Sequence, residues 1–243
     1  MTTATLPTRR DEAWRYSDID GVTAAWPLPA PESIIVPAGG DFRRAIVQDE
    51  GGIRQIDLVL GKGALASLHV LNIGGAYGRI ELAVTLHEDA DFTLGAAQIG
   101  GGDQNLEIIT TVTHAEPGAT SRQVVRSVLG GTAIGTYLGK VAVARDAQQT
   151  DSAQDVKAML LNRSATANTK PELEIYADDV KCAHGCAIGE LDAMALYYLQ
   201  SRGIPPGEAK KLMLQAFVAS VFDGAEDEAR LQELALAKLG ELV

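Results

Sequence analysis

A mainly β core followed by a helical C-terminal subdomain is the fold class that this 243-residue sequence predicts. Two observations predict it. Apolar residues fall at every second place in run after run through residues 33–180, the period of a strand with one buried face. Beyond residue 188 the apolar spacing lengthens to steps of about four, the period of a helix.

The elements follow in order. Residues 1–32 carry a charged stretch, Arg9-Arg10-Asp11-Glu12, then Trp14, Tyr16 and three prolines at 27, 29 and 31. A short helix or turn over 9–19 and an extended linker are expected there. The core spans 33–187. Ile80, Leu82, Val84 and Leu86 are its cleanest alternation, and Ile56, Leu58 and Leu60 repeat it. Leu106, Ile108 and Val112 do the same, as do Leu173 and Ile175, and further runs occupy 121–129, 136–144 and 156–162. Gly63-Ala64, Asp89-Ala90-Asp91 and Pro117-Gly118-Ala119 each precede a new run, as residues that tolerate tight corners should. The Asn-Gly hairpin signal is absent, which favours wide corners or a coil, with a β-sandwich still open.

Three helices are expected in residues 188–243. The first runs from Glu190 to Gln200, stopped by Gly203 and Pro205-Pro206. The second runs from Pro206 or Gly207 to Phe222, with Glu208 in its first turn and Gly224 past its end. The third runs from about Ala225 to Leu242, with an acidic start at Glu226-Asp227-Glu228 and a stripe of Leu231, Leu234, Leu239 and Leu242.

Composition narrows the function. Net charge is −11, which argues against a duplex nucleic-acid binder, since those carry a basic face. No run approaches the ~20 apolar residues of a membrane helix. The first residues lack an apolar signal region, and two cysteines make no disulfide framework, so the reducing cytoplasm is the expected compartment. Gly61-Lys62-Gly63 and Gly139-Lys140-Val141 lack the hydroxyl residue and glycine spacing of a phosphate-binding loop, so no ATP site is expected in this chain. His69, His87 and His114 stand apart from one another and read as structural or surface residues. No Gly-x-Ser-x-Gly elbow is present.

Chemistry concentrates at Asp178-Asp179-Val180-Lys181-Cys182-Ala183-His184-Gly185-Cys186. On a strand, Cys182 and His184 project from one face and can hold one metal or sulfur species together. Lys181 is expected to favour the Cys182 thiolate. The ligand set is too small for a standalone zinc site. Two small buried thiols and a backbone-bonded histidine are an equally open reading of the same residues.

The stretch Asn168-Thr169-Lys170-Pro171-Glu172-Leu173-Glu174-Ile175-Tyr176-Ala177-Asp178-Asp179-Val180-Lys181-Cys182-Ala183-His184-Gly185 closely resembles the signature of the SufB/SufD family, scaffold subunits of iron–sulfur cluster assembly. The resemblance continues through Ile188-Gly189, Leu191-Asp192, Leu196-Tyr197-Tyr198-Leu199, Ser201-Arg202-Gly203-Ile204 and Ala216-Phe217. Leu6-Pro7-Thr8-Arg9-Arg10-Asp11-Glu12-Ala13-Trp14-Arg15-Tyr16-Ser17-Asp18 looks like the N-terminus of the SufD type. The resemblance implies a right-handed parallel β-helix core with a helical C-terminal subdomain. It implies a non-enzymatic subunit that pairs with a SufB-like subunit and docks the SufC-type ABC ATPase through its C-terminal helices. It places a transient iron–sulfur cluster at the subunit interface, with His184 as ligand or proton acceptor and Cys182 secondary. Cys186 lies outside the family pattern and is assigned no role.

The chain is shorter than usual family members, with the missing length in the N-terminal region and the β-helix, so a flavin or peripheral contact made there is not carried over. An isolated chain is expected to pair with a second copy, because an exposed coil edge needs a partner. Two other classes compete: a stand-alone enzyme on a β-helix or jelly roll, and a metal or redox carrier using Cys182, His184 and Cys186.

Overall fold

The computed structural model describes residues 5–243, and residues 1–4 of the N-terminal segment lie outside the described residues. Twelve strands and four α-helices form among them. One sheet stacks β1 (Glu32–Val36), β3 (Gly52–Leu60), β5 (Tyr77–Leu86), β7 (Asn105–His114), β9 (Ile134–Val143) and β11 (Thr166–Ile175) in that order. The other stacks β2 (Asp41–Gln48), β4 (Leu65–Asn72), β6 (Asp91–Gly100), β8 (Thr120–Leu129), β10 (Asp151–Leu160) and β12 (Lys181–Gly189). Consecutive strands alternate between the sheets and every pairing is parallel. This is a parallel β-helix, and the sandwich that the sequence left open is excluded.

Stacking explains the sequence alternation. Inward residues of successive coils meet at one register, such as Ile56, Leu82 and Thr110 or Leu68, Leu94 and Gln123. Ile80, Leu82, Val84 and Leu86 are all buried in the resulting lumen, together with Phe92, Leu94 and Ile108. Corners between strands use left-handed backbone, at Gly63 (φ 62°) and Asp89 (φ 57°) among others. Asp tolerates this region better than most residues, which fits its place in the corner before β6.

The helices are α1 (Ile19–Ala24), α2 (Ala193–Ser201), α3 (Pro206–Ala219) and α4 (Glu228–Gly240). α3 and α4 cover the outer face of the second sheet: Leu214, Val218, Phe222, Leu231 and Leu239 share a cluster with Leu71, Ala97, Ile99 and Val128. β6 is therefore buried on both faces, and Leu94 through Gly100 are all buried. Asp192 caps α2 by accepting from the backbone N–H groups of Met194 and Ala195 at 2.8 and 3.2 Å. None of the α2 residues is fully buried, and Met194, Tyr197 and Tyr198 stand in solvent.

The N-terminal segment fits the short helix or turn expected over 9–19 and departs from the extended linker expected after it. Glu12–Trp14 forms a single 3-10 turn, and the α-helix begins only at Ile19, after Asp18 accepts from the Asp20 N–H at 3.2 Å. The segment lies across the outer face of the first sheet. Trp14 stacks on the Arg79 guanidinium at 3.8 Å, and Ser17 donates to Glu107 at 2.9 Å. No helix among the described residues is long and apolar enough to cross a membrane.

Candidate functional site

The signature residues lie on β12, the last strand of the second sheet. β12 pairs with β10 on one side, and among the described residues no strand pairs with its other edge. Ser152, Gln154 and Val156 of β10 are buried in the lumen, and their register partners on β12 are Cys182, His184 and Cys186. These three side chains therefore belong to the inward face of the coil. No further coil covers them, so Cys182 is half-buried while His184 and Cys186 are exposed. Opposite them, β11 ends the first sheet, and its Thr169 hydroxyl lies 2.8 Å from the Cys186 thiol. The face shared by Cys182 and His184 is as expected, and the structure adds Cys186 to it.

The lumen beneath this open end changes character along the axis. One register column runs Phe92, Ser121, Ser152, Cys182, and its neighbour runs Leu94, Gln123, Gln154, His184. In these two columns the early coils are apolar and the later coils polar, while the next column stays apolar through Ala96, Val125 and Val156. Across the lumen from the first column, His114 Nε2 of β7 lies 2.9 Å from the Ser121 hydroxyl, which lies 2.8 Å from that of Ser152. Burial holds the His114 imidazole neutral, with its pKa pushed down to about 4. In the second column, Thr110 donates to Gln123 Oε1 at 3.0 Å and lies 3.1 Å from the Tyr137 hydroxyl. Gln154 Nε2 in turn donates to Tyr137 at 3.3 Å.

Electrostatics at Cys182 differ from the expectation. Burial raises its pKa, the Asp151 charge adds to that, and the Ser152 backbone N–H only partly opposes them. Lys181 alternates to the other face of the strand and does not activate the thiol. Among the described residues no three His, Cys, Asp or Glu side chains converge as metal ligands. Cys182 and His184, two residues apart on one strand, offer two donors and need others from elsewhere to complete a coordination sphere.

The two ends of the β-helix are built differently. At the first coil, Arg44 of β2 forms an ion pair with Glu32 of β1 at 2.6 Å, and Arg43 pairs with Asp41 at 3.4 Å. Charges on a terminal strand discourage further pairing. β12 reads Lys-Cys-Ala-His-Gly-Cys-Ala-Ile-Gly, with one charge and no proline. β11 is blunted by Pro171, tolerated there because an edge strand can lack an N–H. β12 thus presents a strand edge competent to pair.

A protein-family model described as the SufBD core domain of SUF-system iron–sulfur cluster assembly matches residues 33–217. The chain belongs to the SufB/SufD family. Among curated proteins it is similar to the iron–sulfur cluster assembly protein SufD of Escherichia coli, 31% identical over 186 residues, covering 76% of this chain and 44% of that one. An iron–sulfur cluster assembly SufBD family protein of Synechocystis is 34% identical over 164 residues, 67% of this chain and 36% of the relative. SufD of Bacillus subtilis is 29% identical over 123 residues, 51% and 28% of the two chains. The chain spans less than half the length of these relatives. Within the SufB/SufD family its resemblance is to the SufD type.

The SufBD core match includes β1 to β12 and reaches into α3, so Cys182, His184 and the columns beneath them all lie inside it. Sequence reading missed Ser152 and Gln154, because a polar residue in an alternating run reads as solvent-facing until the coils are stacked. Cys186 carried a usable signal: its spacing of two from His184 puts it on the same face.

Proposed function

We propose that this chain is a SufD-like scaffold subunit whose open coil end receives a SufB-like subunit, with the nascent iron–sulfur cluster assembled between them. The observation that carries the reading is the position of Cys182 and His184: inward-facing, uncovered, and on a strand whose outer edge is unpaired. A second β-helix laid edge to edge on β12 satisfies the free backbone groups and covers both side chains at once. It also contributes the ligands that two donors lack. The cluster is cargo here, and thiolate and imidazole are suitable donors for it. His184 acts as ligand or proton acceptor and Cys182 supports it.

The subunit works by holding and presenting this end, without catalysing a reaction of its own. The C-terminal helices dock a SufC-type ATPase, which supplies ATP hydrolysis. The exposed Met194, Tyr197 and Tyr198 of α2 support this, since such apolar residues on a small helix suit a partner surface. The reading also places the chain in the cytoplasm, where its two free cysteines stay reduced.

The test is co-expression with the SufB-like and SufC-like proteins of the same organism, then size exclusion of what a tag on this chain retains. A three-component assembly is expected. Recovery of the chain alone, with both partners soluble, overturns the reading. In the assembled complex, His184→Ala should lower the iron and sulfide recovered. Unchanged cluster content removes His184 from the site.

A further inference from the structure

We propose that Gln154 is a positioning residue for His184: its buried amide oxygen accepts the imidazole N–H and so leaves the other ring nitrogen free for a ligand at the open end. This deepens the proposed function and rests on it.

Thr110 of β7 and Tyr137 of β9 reach across the lumen to the second column and join its glutamines in one hydrogen-bonded relay. Thr110 donates to Gln123 Oε1 at 3.0 Å, so its hydroxyl oxygen is left to accept. The Tyr137 hydroxyl lies 3.1 Å from that oxygen and 3.4 Å from Gln123 Oε1, and donates into this pair. Its own oxygen then accepts from Gln154 Nε2 at 3.3 Å. Every proton in the chain points away from the open end. Tyr137 is fully buried, and the Gln154 amide is placed with its nitrogen toward the Tyr137 hydroxyl. The amide nitrogen is committed to Tyr137 and the amide oxygen is left over.

That oxygen is conspicuous. Gln154 is 2% exposed, and its Oε1 is buried without a hydrogen-bond partner. Buried acceptors are normally satisfied. On β12 the residue in register with Gln154 is His184, one strand spacing away, ~4.8 Å. Its neighbours on the inward face are Cys182, in register with Ser152, and Cys186, in register with Val156. His184 is therefore the inward-facing residue in register with the orphaned oxygen, and its imidazole N–H is the donor we assign to it. A histidine that ligates through one nitrogen typically donates through the other, and that second contact fixes tautomer and ring orientation. The relay through Tyr137 and Thr110 strengthens the acceptor at its end, because hydrogen bonds in series polarise one another.

Two measurements test this. The chain is labelled with 15N at its four histidines, and the His184 tautomer is read from ring 15N shifts and couplings above the imidazole titration. One neutral tautomer is expected, and Gln154→Leu should give a mixture. Tyr137→Phe keeps the ring but releases the Gln154 amide, and should shift the populations in the same direction. In the complex with its Suf partners, Gln154→Leu should lower cluster recovery ~10-fold, the lower end of what such supporting contacts contribute. The size-exclusion profile should not change. If both variants leave the His184 tautomer as in the parent chain, the assignment of Gln154 is wrong. If the tautomer shifts but His184→Ala leaves cluster content unchanged, Gln154 does orient the ring and the proposed site is what fails.

Discussion

Arg79 and Glu107 form an ion pair at 2.6 Å in which neither side chain reaches solvent. They sit side by side on β5 and β7, on the outer face of the first sheet, beneath the N-terminal segment. Trp14 lies over the guanidinium, Ser17 donates to the carboxylate, and Arg79 also donates to the Ala13 carbonyl at 3.0 Å. The pair therefore ties the first residues of the described chain to the β-helix. Removing one partner leaves a buried charge, so Glu107→Ala should destabilise the chain by ~3–5 kcal/mol. Arg79→Met with Glu107→Leu should recover much of that. Urea denaturation of the three proteins checks the pattern; equal stability of the single and double variants would contradict it.

His114 gives the stability a pH dependence. Its folded pKa is lowered to about 4 by burial against an ordinary value of 6.5. The unfolded chain then binds more protons between those values, so stability rises with pH across the window and is lost as pH falls from 6.5 toward 4. The difference corresponds to ~3 kcal/mol. His114→Gln should flatten this part of the curve in denaturation at a series of pH values. An unchanged slope would show that other groups carry it.

Gly95 on β6 marks the closest approach of the helices to the sheet. A Cβ built there would collide with the Val221 carbonyl oxygen and lie 2.8 Å from the His69 ring. Gly95→Ala must push the turn after α3 outward, at a cost of ~1–3 kcal/mol. A lowered melting temperature with an unaltered β signal in circular dichroism is expected. An unaffected melt would mean that the helices are not seated on that glycine.

The β12 edge can be probed by proline. The Lys181 N–H bonds to Thr150 at 2.8 Å, so by strand alternation the N–H groups of Ala183, Gly185 and Ala187 face β10 and those of His184, Cys186 and Ile188 face outward. Ile188→Pro removes an outward donor and should leave the isolated fold within ~1 kcal/mol of the parent. It should also weaken assembly with the proposed SufB-like partner, read as loss of the co-eluting complex. Ala187→Pro, one residue earlier, should instead destabilise the last coil. Identical behaviour of the two variants would argue against pairing through this edge.

Much of the fold is legible in the sequence because a lumen forces its pattern on every coil. Ile80, Leu82, Val84 and Leu86 must alternate, since only one face of β5 meets the interior. The three C-terminal helices are legible for a similar reason: Pro205-Pro206, Gly203 and Gly224 punctuate them. The helix Ile19–Ala24 falls where the sequence predicts an extended linker, because its position depends on Gly21 meeting Tyr77 and on Trp14 finding Arg79, contacts between residues far apart in the chain. At the site, the shared face of Cys182 and His184 follows from strand periodicity. The raised pKa of Cys182 does not, because it comes from burial and from Asp151 on the adjacent coil. Gln154 is invisible for the same reason: its significance lies in what it stacks upon.

The shift of the lumen from Phe92 and Leu94 to Ser121, Gln123, Ser152 and Gln154 also orders the chain in time. In a solenoid, each coil is stabilised by its neighbours, so growth proceeds outward from the most favourable nucleus. The apolar early coils provide that nucleus, and the polar late coils gain less from each addition. Folding is then expected to travel toward β12, and local opening to begin there. Amide hydrogen exchange should fade in protection from β5 and β6 toward β11 and β12. The end that carries Cys182 and His184 is the last part of the β-helix to form and the first to breathe, which lets a partner's arrival complete its folding.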